Sequence, residues 1–529
     1  MMKKLVSLLL ALALVMSCTA ALAEGKTLRF ATATEPNSLD PQLGNGNWIS
    51  NVTCAIFEGL LRRYNGEIIP GLAESYEISE DGLTYTFHLR ESHWTDGVAI
   101  TAQSFVDSWN LLVERATPMS QFTDHFTVTD ESGVKRANAV ALDEMTLQVT
   151  LNKVTPFMEE VFTAPALVPV RVDLYEQYGD AYYQTVPQVM NGPFILRKWN
   201  ANDVMELVPN DQYWAAEKVN FSEVDIYTVS DPNTQVNMYE SGELDLLEVP
   251  NTMYADFEAQ GMMYYENGST YFLQFTTDGS VDATAPWLAN RDFIEAVSYC
   301  IDRENFVASL YGTAYTPSVE FIPPSATGYN GVTKAESGVT ITSPFALKAD
   351  YDLAAEKLAK AVEALGELPE QFTLVVNDNA ATQTAAQYIQ DACSMVGINI
   401  FIDTIPRSTY WATLREGYRY DFALCGSGPD VDDASTFFDV YDGEGKYADT
   451  FMRWHSDEYA ALKEASWAAT SQEERTELLV QMENLLLAKG PIIPLYFTRA
   501  GWMLREGFTG LNRNMTGADL DYVFGDYAE

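Results

Sequence analysis

From Leu83 to Leu89 the chain alternates Leu83, Tyr85, Phe87 and Leu89 with Thr84, Thr86 and His88. A period of two predicts a half-buried strand. The acidic run Ser79-Glu80-Asp81-Gly82 ahead of it predicts a turn, and Thr95-Asp96-Gly97 a second one. Beyond that turn Phe105, Val106, Trp109, Leu112 and Val113 share one face of a helix that Thr101 can cap. The segment predicts a globular α+β unit and no chemistry.

Further along, the period lengthens. Helical patterns run from Arg291 to Ile301 and on from Asp302 to Tyr311, from Leu353 to Leu365 ending at Gly366, and from Ala385 to Val396 ending at Gly397. Ser471 with Glu474 forms a capping box before Leu478 to Leu487. Strand patterns at Phe372 to Val376 and Ile398 to Ile402 alternate with these helices, so the region is α/β. It is bracketed by two apolar strand patterns, Tyr271 to Thr276 and Pro491 to Phe497. No short repeat or low-complexity linker divides the chain.

At 529 residues the chain is too long for one core, and two or three subdomains should share it. Met1-Met2-Lys3-Lys4, the apolar run from Leu5 to Met16 and the Ala21-Leu22-Ala23 site read as a secretory leader of residues 1–23, too short to span a bilayer. Val15-Met16-Ser17-Cys18 supports a second reading, a lipoprotein leader of residues 1–17 with Cys18 acylated. Both predict export to the periplasm or the outer face of the cytoplasmic membrane. The net charge of −43 excludes nucleic acid as a partner. Such a field attracts cationic ligands; the plainer reading is that scattered acids keep an exported protein dispersed.

Cys54, Cys300, Cys393 and Cys425 have no C-x-x-C spacing, and those in helical patterns read as buried thiols; a disulfide among the four stays open. His88, His93, His125 and His455 show no metal spacing, and there is no G-x-S-x-G. Catalytic residues, metal and cofactor are therefore expected to be absent.

Five segments give the chain a resemblance. Asn37-Ser38-Leu39-Asp40-Pro41, Phe57-Glu58-Gly59-Leu60, the stretch from Ala73 to Trp109, Asn191-Gly192-Pro193-Phe194 and Pro491-Ile492-Ile493-Pro494-Leu495-Tyr496 follow in this order. Together they resemble the extracytoplasmic solute-binding proteins of peptide importers, family 5, over roughly Leu28 to Leu511. The resemblance implies an α/β, two-lobed periplasmic-binding-protein fold with an α+β inserted subdomain and two hinge strands. Residues 24–61, 190–276 and 494–529 would form lobe I, 62–189 the insert and 277–493 lobe II. It further implies a monomeric receptor that closes on a short peptide and hands it to a membrane permease and ATPase complex. Relatives of this fold bind nickel chelates, sugars or other solutes, and a secreted hydrolase or a sensor are rival readings.

In peptide-binding relatives a D-x-x-[DE]-P loop presents an aspartate to the peptide's α-ammonium group. By that likeness Asp430 is the binding aspartate, Asp433 the second acid and Phe437-Phe438 the apolar pair after it, with Gly426 and Ser427 at the loop's start. Two positions depart from the pattern: Ala434 replaces the proline and Ser427 a tryptophan, so the pocket should differ in shape. Asp432 reads as a solvated surface acid. Arg407, before Thr409 to Leu414, stands where an aromatic residue is common and would hold a ligand carboxylate. Trp48, in Gly44-Asn45-Gly46-Asn47-Trp48, matches a loop that faces the ligand from lobe I.

Overall fold

The computed structural model describes residues 26–43, 47–186, 189–277, 284–415, 420–438, 441 and 454–528. Both leader readings, Cys18 included, and the Gly44-Asn45-Gly46 loop lie outside the described residues.

The alternating segment folds as its pattern predicts. Thr84–Leu89 is a strand with Tyr85, Phe87 and Leu89 buried, and the Gly82 N–H closes the turn before it on the Ser79 carbonyl at 2.8 Å. The helix Ala102–Arg115 buries Phe105, Trp109 and Leu112. Its indole is not wasted as a donor: Trp109 Nε1–H donates to the Leu167 carbonyl at 2.9 Å, as a buried polar atom requires.

Two hydrophobic cores give the molecule two lobes. The first gathers residues from Leu28 to Leu246 together with Val431, Trp467, Trp502, Leu511, Leu520, Tyr522 and Val523. It contains a sheet in which Thr27–Thr32 runs parallel to Glu223–Thr228, followed by Val204–Pro209 and Phe194–Trp199, and a second sheet built on Ala73–Ile78 and Thr84–Leu89. Lys26 and Asp526 meet on this lobe at 2.6 Å. The second core runs from Val236 to Met503 and surrounds the parallel strands Phe372–Asn377, Ile400–Ile405 and Phe422–Ser427 with helices such as Tyr351–Leu365 and Ala380–Ser394.

The stretches read as bracketing strands are the ends of two far longer ones. Met263–Phe275 and Ile492–Leu504 pair antiparallel from Met263↔Trp502 to Gln274↔Ile492. Leu246–Val249 flanks them at one end and Phe422–Ser427 at the other. Their register slips between Glu266 and Thr270, where Gly268 has φ of 69°. A Cβ there would lie 2.9 Å from Met515 Sδ and 3.1 Å from Pro429, so only glycine fits. The strand after Ala380–Ser394 starts at Ile400, two residues later than its pattern. Ser471 does cap Gln472–Lys489, but the Glu474 carboxylate reaches back to the Thr470 N–H at 3.0 Å and not to Ser471.

Two of the five segments are a docking pair inside the first lobe. The Asn191 amide accepts from the Glu58 N–H at 3.2 Å and donates to the Glu58 carbonyl at 3.0 Å. Gly192 sits so close to Ile56 that an added Cβ would fall 2.4 Å from its carbonyl carbon. Glu58 in turn meets buried Arg62 at 3.6 Å, and Arg62 meets Asp521 at 3.2 Å, tying the chain's last segment to this lobe. The cysteines Cys54, Cys300, Cys393 and Cys425 are free thiols.

Candidate functional site

Phe422–Ser427 delivers the candidate loop to the boundary between the lobes. Its last residues pair with the long strand Met263–Phe275, Ser427 opposite Thr270 and Gly426 opposite Tyr271. A Cβ on Gly426 would stand 2.9 Å from the Tyr271 ring, so the missing side chain is what lets the ring lie flat against the strand.

The loop divides two cavities. One, of about 300 Å³, is walled by Ile49, Met119, Phe122 and Glu160 of the first lobe and by Pro429, Asp430 and Val431 of the loop. Asp430 is accessible from this cavity. Its side chain is exposed there, and the protein atoms around it, acting through desolvation, raise its carboxyl above the ordinary range. Among the described residues nothing donates a hydrogen bond or a positive charge to it. The other cavity, of about 470 Å³, is lined by Gly426, Ser427, Arg407, Asn377, Asn379 and a group of aromatic rings. Arg407 is the only charged side chain on its wall among the described residues. Its backbone N–H is held by Asp378 Oδ1 at 2.8 Å, and among the described residues no carboxylate pairs with its guanidinium.

The rings are a feature that sequence spacing could not reveal. Tyr496 stacks on Tyr271 with centroids 4.9 Å apart and planes 11° apart, and on Tyr315 at 5.3 Å and 6°. The column joins three segments distant in sequence; only the Leu495-Tyr496 end of the last motif hinted at it.

Two acids of the loop do not behave as surface charges. Asp432, read as solvated, is buried and its Oδ2 lies 3.2 Å from Arg63 Nη1 of the first lobe. The sequence pattern could not show this, because the partner arginine sits far upstream in Leu61–Tyr64. Asp433 is buried as well: Oδ1 is 2.6 Å from Arg475 Nη2 and accepts from the Ser435 N–H at 2.8 Å. Arg475 also donates to the Gly328 carbonyl at 3.1 Å, so this pair fixes the loop to its own lobe. Phe437 and Phe438 are in the second core and line neither cavity.

Arg63 has a second acid. Glu160 pairs with the same guanidinium. The Glu160 carboxyl is raised to about 7, chiefly by burial and further by Asp432 and Asp433, against the pull of Arg63. Asn47 and Trp48 open the helix Asn47–Ile56 instead of ending a loop, and the Trp48 side chain lies outside the described residues. Ile49, Ser50 and Thr53 of that helix line the Asp430 cavity. The structure thus groups Gly426, Ser427 and Arg407 on one cavity and places Asp430 on the other. Among the described residues no cluster of His, Cys, Asp or Glu is arranged to hold a metal ion, and no helix is long and apolar enough to cross a membrane.

Two lobes that share a pair of long strands, with cavities opening where they meet, define a binding protein. The chain belongs to the bacterial extracellular solute-binding proteins, family 5, whose profile matches residues 67–449. It is similar to the oligopeptide-binding protein OppA of Bacillus subtilis, 27% identical over 93% of this chain and 92% of that one. It is equally similar to the dipeptide-binding protein DppE of the same organism, at 27% over 93% and 90%. Among solved structures, Haemophilus influenzae OppA in complex with RPPGFSPFR superposes with a TM-score of 0.77 at 24% identity, covering 96% of this chain and 100% of that one. These relatives are binding proteins, and the α/β, two-lobed fold is the one the five segments implied.

Proposed function

We propose that this chain is the extracytoplasmic receptor of an ATP-driven importer and that its solute is a short peptide. Residues 24–61, 190–276 and 494–529 act as lobe I, 62–189 as its insert and 277–493 as lobe II. The two long strands between them serve as the hinge. The peptide's α-ammonium sits against Asp430 and a carboxylate of the ligand against Arg407, with Gly426 and Ser427 along its backbone and Trp48 facing it from lobe I. The ligand leaves chemically unchanged, passed to the permease and ATPase complex by a monomeric receptor that is either free or anchored through Cys18.

One observation carries this reading: among the described residues neither the Asp430 carboxylate nor the Arg407 guanidinium has an ion-pair partner, and the two line cavities on opposite sides of one loop. A zwitterion satisfies both. Each unit pair at about 4 Å and an effective dielectric of about 20 is worth roughly 4 kcal/mol before desolvation is subtracted. The names of the B. subtilis relatives support peptides over other solutes. Native mass spectrometry of protein purified from the exporting cell tests the proposal. A co-purified peptide is expected; a bound sugar, metal chelate or bile acid would overturn it.

A further inference from the structure

The helix Asp457–Ala468 belongs to both cores at once. Near its start Tyr459 is buried in the second core, its hydroxyl donating to the Phe438 carbonyl at 3.3 Å. At its end Trp467 is buried among residues of the first. The indole meets the edge of Phe157 with centroids 5.8 Å apart and planes 88° apart, and it lies 6.5 Å from the His125 ring. Lys153 Nζ stands 3.6 Å from the ring centroid and reaches Glu464 of the same helix at 3.6 Å.

One side of this slot comes from an element that also walls the Asp430 cavity. His125 belongs to Pro118–Phe126, and so do Met119 and Phe122. We infer that Trp467 is the clamp by which the second lobe grips the inserted subdomain, and that it positions the cavity wall for ligand capture without touching the ligand. The inference rests on the reading of lobe closure given above. The contact suits a reversible device. Ring faces and an ammonium group over the indole hold it, while the indole N–H has no acceptor among the described residues. Opening would hydrate that N–H, so the unpaired donor offsets part of the apolar burial. Arg63 and Asp432 form a second contact between the same lobes, on the loop that carries Asp430. The fraction of molecules held shut scales the apparent affinity directly.

Small-angle scattering of the ligand-free protein tests the clamp independently of any peptide. Trp467→Ala should enlarge the radius of gyration, while Trp467→Phe, which keeps the ring and forfeits no hydrogen bond, should leave it at the wild-type value. In calorimetry with a free-amine tripeptide, Trp467→Ala should bind about tenfold more weakly and Trp467→Phe about as tightly as wild type. Lys153→Ala, a change at a half-exposed side chain, should expand the ligand-free protein in the same sense, and decides the matter if Trp467→Ala does not fold. Unchanged ligand-free scattering for these variants overturns the clamp. Absence of peptide binding by wild type would overturn the proposed ligand while leaving the scattering result to stand.

Discussion

Asp432 reaches Arg63 across the lobe boundary at 3.2 Å, while Asp430, two residues earlier on the same loop, reaches no cation among the described residues. Three neighbouring acids therefore have three fates: among the described residues Asp430 makes no ion pair, Asp432 joins the lobes and Asp433 pins the loop.

If Asp430 holds an α-ammonium group, Asp430→Ala should weaken binding of free-amine peptides by roughly 2–5 kcal/mol, the range for truncating one side of a buried charge pair. N-acetylation of the peptide should cost about the same. Both changes remove the same pair, so together they should cost much less than their sum. Calorimetry on the four combinations decides, and additive penalties would rule out this mode of holding.

Asp432→Ala should lower stability, because Arg63 would keep Glu160 as its one carboxylate partner among the described residues. A loss of about 1–3 kcal/mol in denaturant unfolding is expected. A variant as stable as wild type would mean the contact is energetically silent.

Glu160 gives a pH dependence of definite sign. Its carboxyl is raised from 4.5 to about 7 in the folded protein, so the native state holds a proton that the unfolded chain has released over that interval. Its contribution is present at low pH and is lost as pH rises through about 7. Glu160→Gln should remove that fall. Unfolding free energies from pH 4.5 to pH 7 should therefore slope downward more steeply in wild type than in the variant; equal slopes would contradict the assignment.

Gly426→Ala should displace the Tyr271 ring from Tyr496 and cost about 1–3 kcal/mol as an overpacked site. Near-ultraviolet circular dichroism would register the loss of the stacked column, and ligand affinity should fall with it. An unaltered spectrum would show that the ring accommodates the methyl group.

The extent to which the sequence foretold this structure follows from the range of each interaction. Tyr85, Phe87 and Leu89, or Phe105, Trp109 and Leu112, declare their face through neighbours a few residues away, so their elements were readable. Met263 to Ser269 shows no alternation, since that half of the long strand is neither cleanly buried nor exposed, and its continuity with Tyr271 stayed hidden. Asp432 looked solvated because its arginine is supplied by another lobe. Asp430 and Arg407 were singled out by motif position, yet that they line two different cavities needed the third dimension.

Lys26 and Asp526 touch within one lobe. Reporters fused beyond these two residues would therefore sit close together on one lobe. The same proximity lets residues 26 and 526 be joined by a short linker and the chain reopened at an exposed turn such as Gly133, the kind of site where rearranged chain order is tolerated. A biosensor built from this protein should therefore take its new ends from the insert, whose position relative to the second lobe is what ligand capture would change.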